Sequence, residues 1–167
     1  KIKAVVECAR EFQIPIRIGV NAGSIEKSIL KKHKEPSAQA MLESALRQID
    51  LLRSLDFHDI KVSLKASDVY RTVEAYRLLS SAVNLPLHIG VTEAGTLLRG
   101  AVKSAVGLGI LLSHGLGDTL RVSLTADPVQ EVVVAWEILR SLGLRARGPE
   151  IISCPTCGRT EVDLFGL

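Results

Sequence analysis

Aromatic residues are scarce in this sequence: one Trp, two Tyr and three Phe, 4% of 167 positions. Its core must therefore be aliphatic, a composition that suits helices packed on buried strands. Cysteine is scarce as well. Cys8, Cys154 and Cys157 are too few for a disulfide framework, so a reducing, cytoplasmic setting is expected. Long apolar runs are missing. The longest, 105–113, falls well short of the roughly 20 residues that span a bilayer, so no membrane partner is expected. Basic runs are also missing, and a net charge of +3 gives no reason to expect a nucleic-acid partner. The opening residues, KIKAVVECAREF, do not read as a secretory signal.

What is present is a hydrophobic content of 47%, enough to bury a core in a chain of single-domain size. Four segments within it look alike: IRIGVNAG (16–23), IKVSLKAS (60–67), LHIGVTEA (87–94) and LRVSLTAD (120–127). Each is a six-residue strand pattern followed by a polar turn. Their starts are 44, 27 and 33 residues apart, room for one helix in each interval. Strand and helix alternate, the signature of right-handed βα units on a parallel sheet. The helices are legible too. Residues 37–55 carry Ala40, Leu42, Ala45, Ile49 and Leu52 at helical spacing. Ser67-Asp68 is a cap for a helix running toward Val83, and 95–112 reads as a glycine-weakened helix. Asp127-Pro128 reads as N-cap and first helical residue of a helix ending near Leu142. Residues 1–12 form a further helix, on which Cys8, near Val5, Val6 and Phe12, reads as a buried core thiol.

Side chains alternate across a strand. One face collects Ile16, Ile18, Val20, Ile60, Val62, Leu64, Leu87, Ile89, Val91, Leu120, Val122 and Leu124, and suits a covering layer of helices. The other collects Arg17, Gly19, Asn21, Lys61, Ser63, Lys65, His88, Gly90, Thr92, Arg121, Ser123 and Thr125, and is polar, basic and small. A doubly wound sheet is covered on both faces and reads apolar throughout. A polar inner face under an aliphatic outer one fits instead the α/β fold class of the (β/α)8 TIM-barrel type. Such barrels take about 250 residues. The chain is thus expected to be half of a barrel, with about four parallel strands and outer helices, and a piece of a longer protein. The alternative is a complete small α/β sandwich with one solvated face.

Chemistry in these barrels sits at the carboxyl ends of the strands. The candidates there are Asn21, Lys65, Thr92 with Glu93, and Ser123, with Arg17, Lys61, His88 and Arg121 deeper. Arginine and lysine favour phosphate, arginine through its bidentate fork. Their convergence points to a small anionic, phosphorylated substrate. Glu93 is the carboxylate at this level that is not better read as a helix cap.

The pair Cys154-Pro-Thr-Cys157 has three readings: one knuckle of a zinc ribbon, a dithiol of the thioredoxin kind, or two ligands of an iron–sulfur cluster completed elsewhere. The zinc reading belongs with a non-enzymatic module that binds phosphorylated ligands and carries a structural zinc.

Six blocks, IPIRIGVNAGS, KVSLKASDV, GVTEAG, GAVKSAVGLG, GDTLRVSLTADP and CPTCGR, resemble in order and spacing those of the 4-hydroxy-3-methylbut-2-enyl diphosphate synthase family. The resemblance implies a TIM barrel followed by an iron–sulfur domain. Residues 1–147 would be the second, C-terminal half of the barrel, and 148–167 the truncated start of the cluster domain. It implies reductive ring opening of 2-C-methyl-D-erythritol 2,4-cyclodiphosphate in isoprenoid biosynthesis, with loss of a hydroxyl as water. Electrons would come from ferredoxin or flavodoxin through a [4Fe–4S] cluster held by three cysteines and a glutamate, in a homodimer. Carried onto this chain, Cys154 and Cys157 would be two of those ligands, and Glu93 the active-site acid. Arg17, Asn21, Lys65, Thr92, Arg121 and Ser123 would hold the substrate. The chain alone is expected to be inactive.

Overall fold

The computed structural model describes residues 1–149, 152, 154, 157–159, 161–163 and 166. The expected second segment, 148–167, therefore lies in part outside the described residues. In order the elements are α1 (Ile2–Glu11), β1 (Ile16–Asn21), a 3-10 turn (Ala22–Ser24), α2 (Lys27–His33), α3 (Ala38–Ser54), β2 (Ile60–Lys65), α4 (Val69–Ala82), β3 (His88–Ile89), α5 (Leu97–Ser113), β4 (Thr119–Leu120) and α6 (Pro128–Ser141).

Local chemistry starts the main helices. The side chains of Ser37, Asp68 and Asp127 accept from the backbone N–H groups of Ala40, Arg71 and Val129, and Pro128 opens α6. These bonds satisfy donors that a helix leaves open at its first turn. β1 and β2 pair in parallel from Ile16↔Ile60 to Asn21↔Lys65, and β3 and β4 pair in parallel through His88↔Thr119 and Ile89↔Leu120. A parallel bridge, Val62↔Leu87, joins the two pairs. The spatial order is thus β1-β2-β3-β4, with a helix after each strand: four βα units of TIM-barrel type. Ile18, Val20, Val62, Leu64, Ile89, Val91 and Val122 bury the outer strand face. Met41, Ala45 and Ile49 of α3, Leu79 of α4, Leu108 and Leu111 of α5 and Ile138 of α6 are buried with them.

Three sequence expectations are corrected. The interval between β1 and β2 holds two helices. The first, α2, is lysine-rich and buries only Ile29 fully, which hid it from hydrophobic periodicity. The third and fourth strands are each two residues long in the ladder, not six. Side chains take their outlying backbone donors: Asp118 accepts from Leu87 N–H at 2.7 Å, and Glu131 accepts from Leu124 N–H at 2.9 Å. Finally, Cys8 is exposed. Val6 and Ala9 are the buried residues of α1, and at about 100° per residue Cys8 falls on the opposite side.

Candidate functional site

Register builds the site. Arg17 lies opposite Lys61, Gly19 opposite Ser63, and Asn21 opposite Lys65. The Val62↔Leu87 bridge and the bond from Thr92 N–H to Ala66 C=O (3.2 Å) fix one register between β2 and the β3 segment. That register sets Ser63 beside His88 and Lys65 beside Gly90. Pairing of Ile89 with Leu120 then sets Gly90 beside Arg121. A cleft of about 170 Å³ opens on this face, lined by Arg17, Gly19, Asn21, Ser63, Lys65, Val91, Thr92, Arg121 and Ser123. All the residues expected to hold substrate line it. A larger groove of about 360 Å³ lies elsewhere, between α5 and α6, and is walled mainly by valine, alanine and isoleucine.

Gly90 shapes the cleft by having no side chain. A Cβ there would lie 3.3 Å from the Lys65 ammonium nitrogen and 2.6 Å from the Arg121 carbonyl oxygen. Lys65 therefore lies across β3 over a gap that only glycine leaves open. Burial, then the nearby charges of Arg17 and Arg121, push its pKa down to about 8. Beneath it, His88 is pushed down to about 4, first by burial and then by Lys65, Arg17, Lys61 and Arg121. The imidazole is thus neutral at physiological pH. Its Nδ1 lies 2.8 Å from Thr119 Oγ1, and its buried Nε2 has no hydrogen-bond partner among the described residues. Glu131 supplies a partial counter-charge: its carboxylate stands 4.0 Å from Arg121 Nε. Cations held this close, with little carboxylate among them, make a site that an anion would relieve.

Glu93 is exposed and stands outside the lining of the cleft. Its φ of +52°, with Gly95 at +120°, turns the chain from β3 toward α5. A left-handed conformation costs a non-glycine residue about 1–2 kcal/mol. Cys154 and Cys157 are both exposed. Two thiols at this spacing suit an iron–sulfur cluster or zinc, but either needs further ligands. Among the described residues there is no group of three or more His, Cys, Asp or Glu side chains placed to hold a metal.

Sequence reasoning placed Gly19, Ser63 and Gly90 on the inner face without giving them a part in the site. It missed Tyr76 and Thr72 of α4 altogether. Helical spacing marks both as core positions, and nothing local shows that their hydroxyls reach the strands.

The sequence profile of the GcpE TIM-barrel domain matches residues 1–136. The chain belongs to the GcpE TIM-barrel family. Within the family it is similar to proteins named 4-hydroxy-3-methylbut-2-en-1-yl diphosphate synthase (flavodoxin). It is 62% identical over 167 residues to that of Maridesulfovibrio salexigens, covering 100% of this chain and 47% of the relative. It is 60% identical over 166 residues to that of Haemophilus influenzae, covering 99% and 48%. It is 59% identical over 167 residues to that of Geobacter sulfurreducens, covering 100% and 47%. The chain thus spans about half the length of the curated relatives it matches. No helix among the described residues is long and apolar enough to cross a membrane.

Proposed function

We propose that this chain supplies half of the barrel, residues 1–147, and the start of the cluster segment, 148–167, of an isoprenoid-pathway reductase. The reaction is reductive opening of 2-C-methyl-D-erythritol 2,4-cyclodiphosphate to 4-hydroxy-3-methylbut-2-enyl diphosphate. Two electrons enter from a reduced flavodoxin or ferredoxin, the ring opens, and a hydroxyl leaves as water. The protein would act in the cytoplasm as a homodimer. The observation that carries this reading is the cleft in which Arg17, Lys65 and Arg121 meet, in a chain about 60% identical to proteins bearing that diphosphate synthase name.

Each residue has a part that its chemistry suits. Arg17 and Arg121 would grip the diphosphate through their guanidinium forks, and Lys65 as a point charge. Asn21, Thr92 and Ser123 would orient it through neutral hydrogen bonds. Anion binding would raise the pKa of Lys65 by cancelling the repulsion from both arginines. Glu93 would deliver the proton that the departing hydroxyl needs, and its left-handed backbone supports a residue held in place for function. Cys154 and Cys157 are the residues here that would hold a [4Fe–4S] cluster, with the other ligands outside this chain. When bound, the cluster would supply the electrons one at a time.

Turnover of the cyclodiphosphate with reduced flavodoxin, by the protein carrying this sequence, tests the reading. Glu93→Gln is expected to lower kcat about 100-fold or more with little change in KM, as a group acting in the transition state should. An unchanged kcat removes Glu93 from this part. Iron and sulfide are expected in anaerobically purified protein. Zinc without either would favour a non-enzymatic phosphate-binding module instead.

A further inference from the structure

The seam between β2 and the β3 segment is not an ordinary ladder. At one end Val62 N–H donates directly to Pro86 C=O at 2.9 Å, and at the other Thr92 N–H donates directly to Ala66 C=O at 3.2 Å. In the register these rungs define, Leu64 N–H should donate to His88 C=O, and Ala66 N–H to Gly90 C=O. Both donors go instead to hydroxyls of α4. Leu64 N–H donates to Tyr76 Oη at 3.0 Å, and Tyr76 Oη donates onward to His88 C=O at 2.6 Å. Ala66 N–H donates to Thr72 Oγ1 at 3.2 Å, while Thr72 Oγ1 lies 2.8 Å from Asp68 C=O and 3.2 Å from Ala66 C=O.

A direct rung sets N and O about 2.9 Å apart. Two bonds in series, with an oxygen between them, hold those groups farther apart. The spreading is local, because direct rungs flank it. It falls on the level where Lys65 stands beside Gly90. Tyr76 is fully buried, and burial pushes its pKa up to about 12. It therefore keeps the proton it gives to His88. Thr72 is equally buried, so neither hydroxyl is an incidental surface contact.

We propose that Tyr76, backed by Thr72, is a positioning residue for the anion site: its hydroxyl is a spacer built into the β2–β3 seam that holds Lys65 across Gly90 and inside the cleft. The proposal rests on the anion-site reading above and adds what sets the geometry of that site. Neither residue lines the cleft. Tyr76 acts through the backbones of Leu64 and His88, which carry the neighbours of Lys65 on one side and of Gly90 on the other.

The test is Tyr76→Phe in the protein carrying this sequence, which keeps the buried ring and removes the spacer oxygen. The charged groups acting on Lys65 are Arg17 from β1 and Arg121 just past β4, with His88 of β3, itself under Lys61, close by, and none is altered. Two readouts are taken. One is the titration of the Lys65 side chain, followed by NMR on isotopically methylated lysines and assigned with Lys65→Arg. The other is affinity for inorganic pyrophosphate. Lys65 is expected to titrate closer to an ordinary lysine, and pyrophosphate affinity to fall about 3- to 10-fold, the range of one net hydrogen bond. A merely structural hydroxyl would lower stability and leave the Lys65 titration where it was, and that result overturns the proposal. If Tyr76→Phe does not fold, Thr72→Val is compared with Thr72→Ser. Serine should retain both readouts and valine lose them, and equal behaviour of the two overturns the proposal. Wild-type protein that ignores pyrophosphate would overturn the anion-site reading, and with it the purpose of the spacer. The Lys65 titration would still show separately whether Tyr76 sets the position of the ammonium.

Discussion

β2 has two edges, and they are built differently. Toward β1 it pairs without interruption, Ile16↔Ile60 through Asn21↔Lys65. Toward β3 it keeps one bridge at its start, Val62↔Leu87, and then hands its donors to side-chain hydroxyls of α4. The first edge needs only backbone and aliphatic side chains. The second depends on two particular residues, Tyr76 and Thr72. The cleft straddles both, with Arg17 and Asn21 on one side of Lys65 and Thr92 and Arg121 on the other. A parallel sheet can thus carry direct backbone rungs on one side of a cleft lysine and side-chain hydroxyls between its strands on the other.

The largest blow to this contrast should be Tyr76→Ala. It removes a fully buried ring and leaves Leu64 N–H and His88 C=O without their partner. Burying an unfilled space and unpaired polar groups together should cost about 3–5 kcal/mol. Urea unfolding measures it. A loss under about 1 kcal/mol would mean the seam closes on itself and the hydroxyl relay is dispensable.

Next in size is Lys65→Met, which spares both edges and removes only the charge between them. Pyrophosphate affinity should fall about 10- to 100-fold, the scale of a charge-assisted contact. In the unaltered protein, affinity should also fall as pH rises through about 8, where Lys65 loses its proton. The variant should lack that step. Stability moves the opposite way. Between about 8 and the ordinary lysine value of 10.5, the unfolded chain still holds a proton that the folded chain has released. Stability from this group therefore rises with pH across that window. Calorimetry of both proteins at pH 7 and 10 would show whether the rise disappears with the lysine.

Much of this was readable from the sequence, and the boundary follows physical locality. Ser37, Asp68 and Asp127 announce helix starts because a cap is a contact among near neighbours. The alternation of Ile18, Val20, Val62 and Leu64 with Arg17, Gly19, Ser63 and Lys65 announces which face is covered. Followed along all four strands, it names every residue lining the cleft except Val91, which alternation assigns to the covered face. The ends of the third and fourth strands could not, because Asp118 and Glu131 capture backbone donors from neighbouring segments. Helix α2 was missed because lysine dominates it. Cys8 has apolar neighbours in the sequence, yet its angle from Val6 and Ala9 on α1 turns it outward. Tyr76 was illegible for a different reason: its role exists only once the register between β2 and β3 is known.

A smaller effect should appear in acid. His88 sits on the β3 side of β2, where hydroxyls are inserted between the strands, neutral and pushed down to about 4 from 6.5. Between those values the unfolded chain binds a proton that the folded chain refuses. Stability linked to His88 is therefore intact above about 6.5 and lost as pH falls toward 4. Glu43, bonded to Lys32 and His33, is pushed down to about 2, so its own loss lies lower, below the ordinary glutamate value of 4.5. The two windows can be separated by unfolding at pH 7, 5 and 3. His88→Gln should flatten the first step and leave the second. If the first step survives the substitution, the cations around His88 do not govern it.

The smallest expected effect compares two caps. Asp68 and Asp127 both accept a backbone N–H at the start of a helix, from Arg71 at 2.7 Å and from Val129 at 2.9 Å. Replacing either by alanine should cost about 1 kcal/mol, the ordinary worth of a helix cap. Their surroundings differ in one respect. The Asp68 carbonyl also receives the Thr72 hydroxyl, the same hydroxyl that takes Ala66 N–H on the edge toward β3. Loosening the first turn of α4 should therefore disturb the seam, whereas loosening α6 should not. Asp68→Ala is expected to speed amide exchange at Leu64 and Ala66 more than at Val62, while Asp127→Ala leaves all three unchanged. Equal exchange in the two variants would mean that α4 holds the seam through its packed side chains alone, and that the cap contributes only to its own helix.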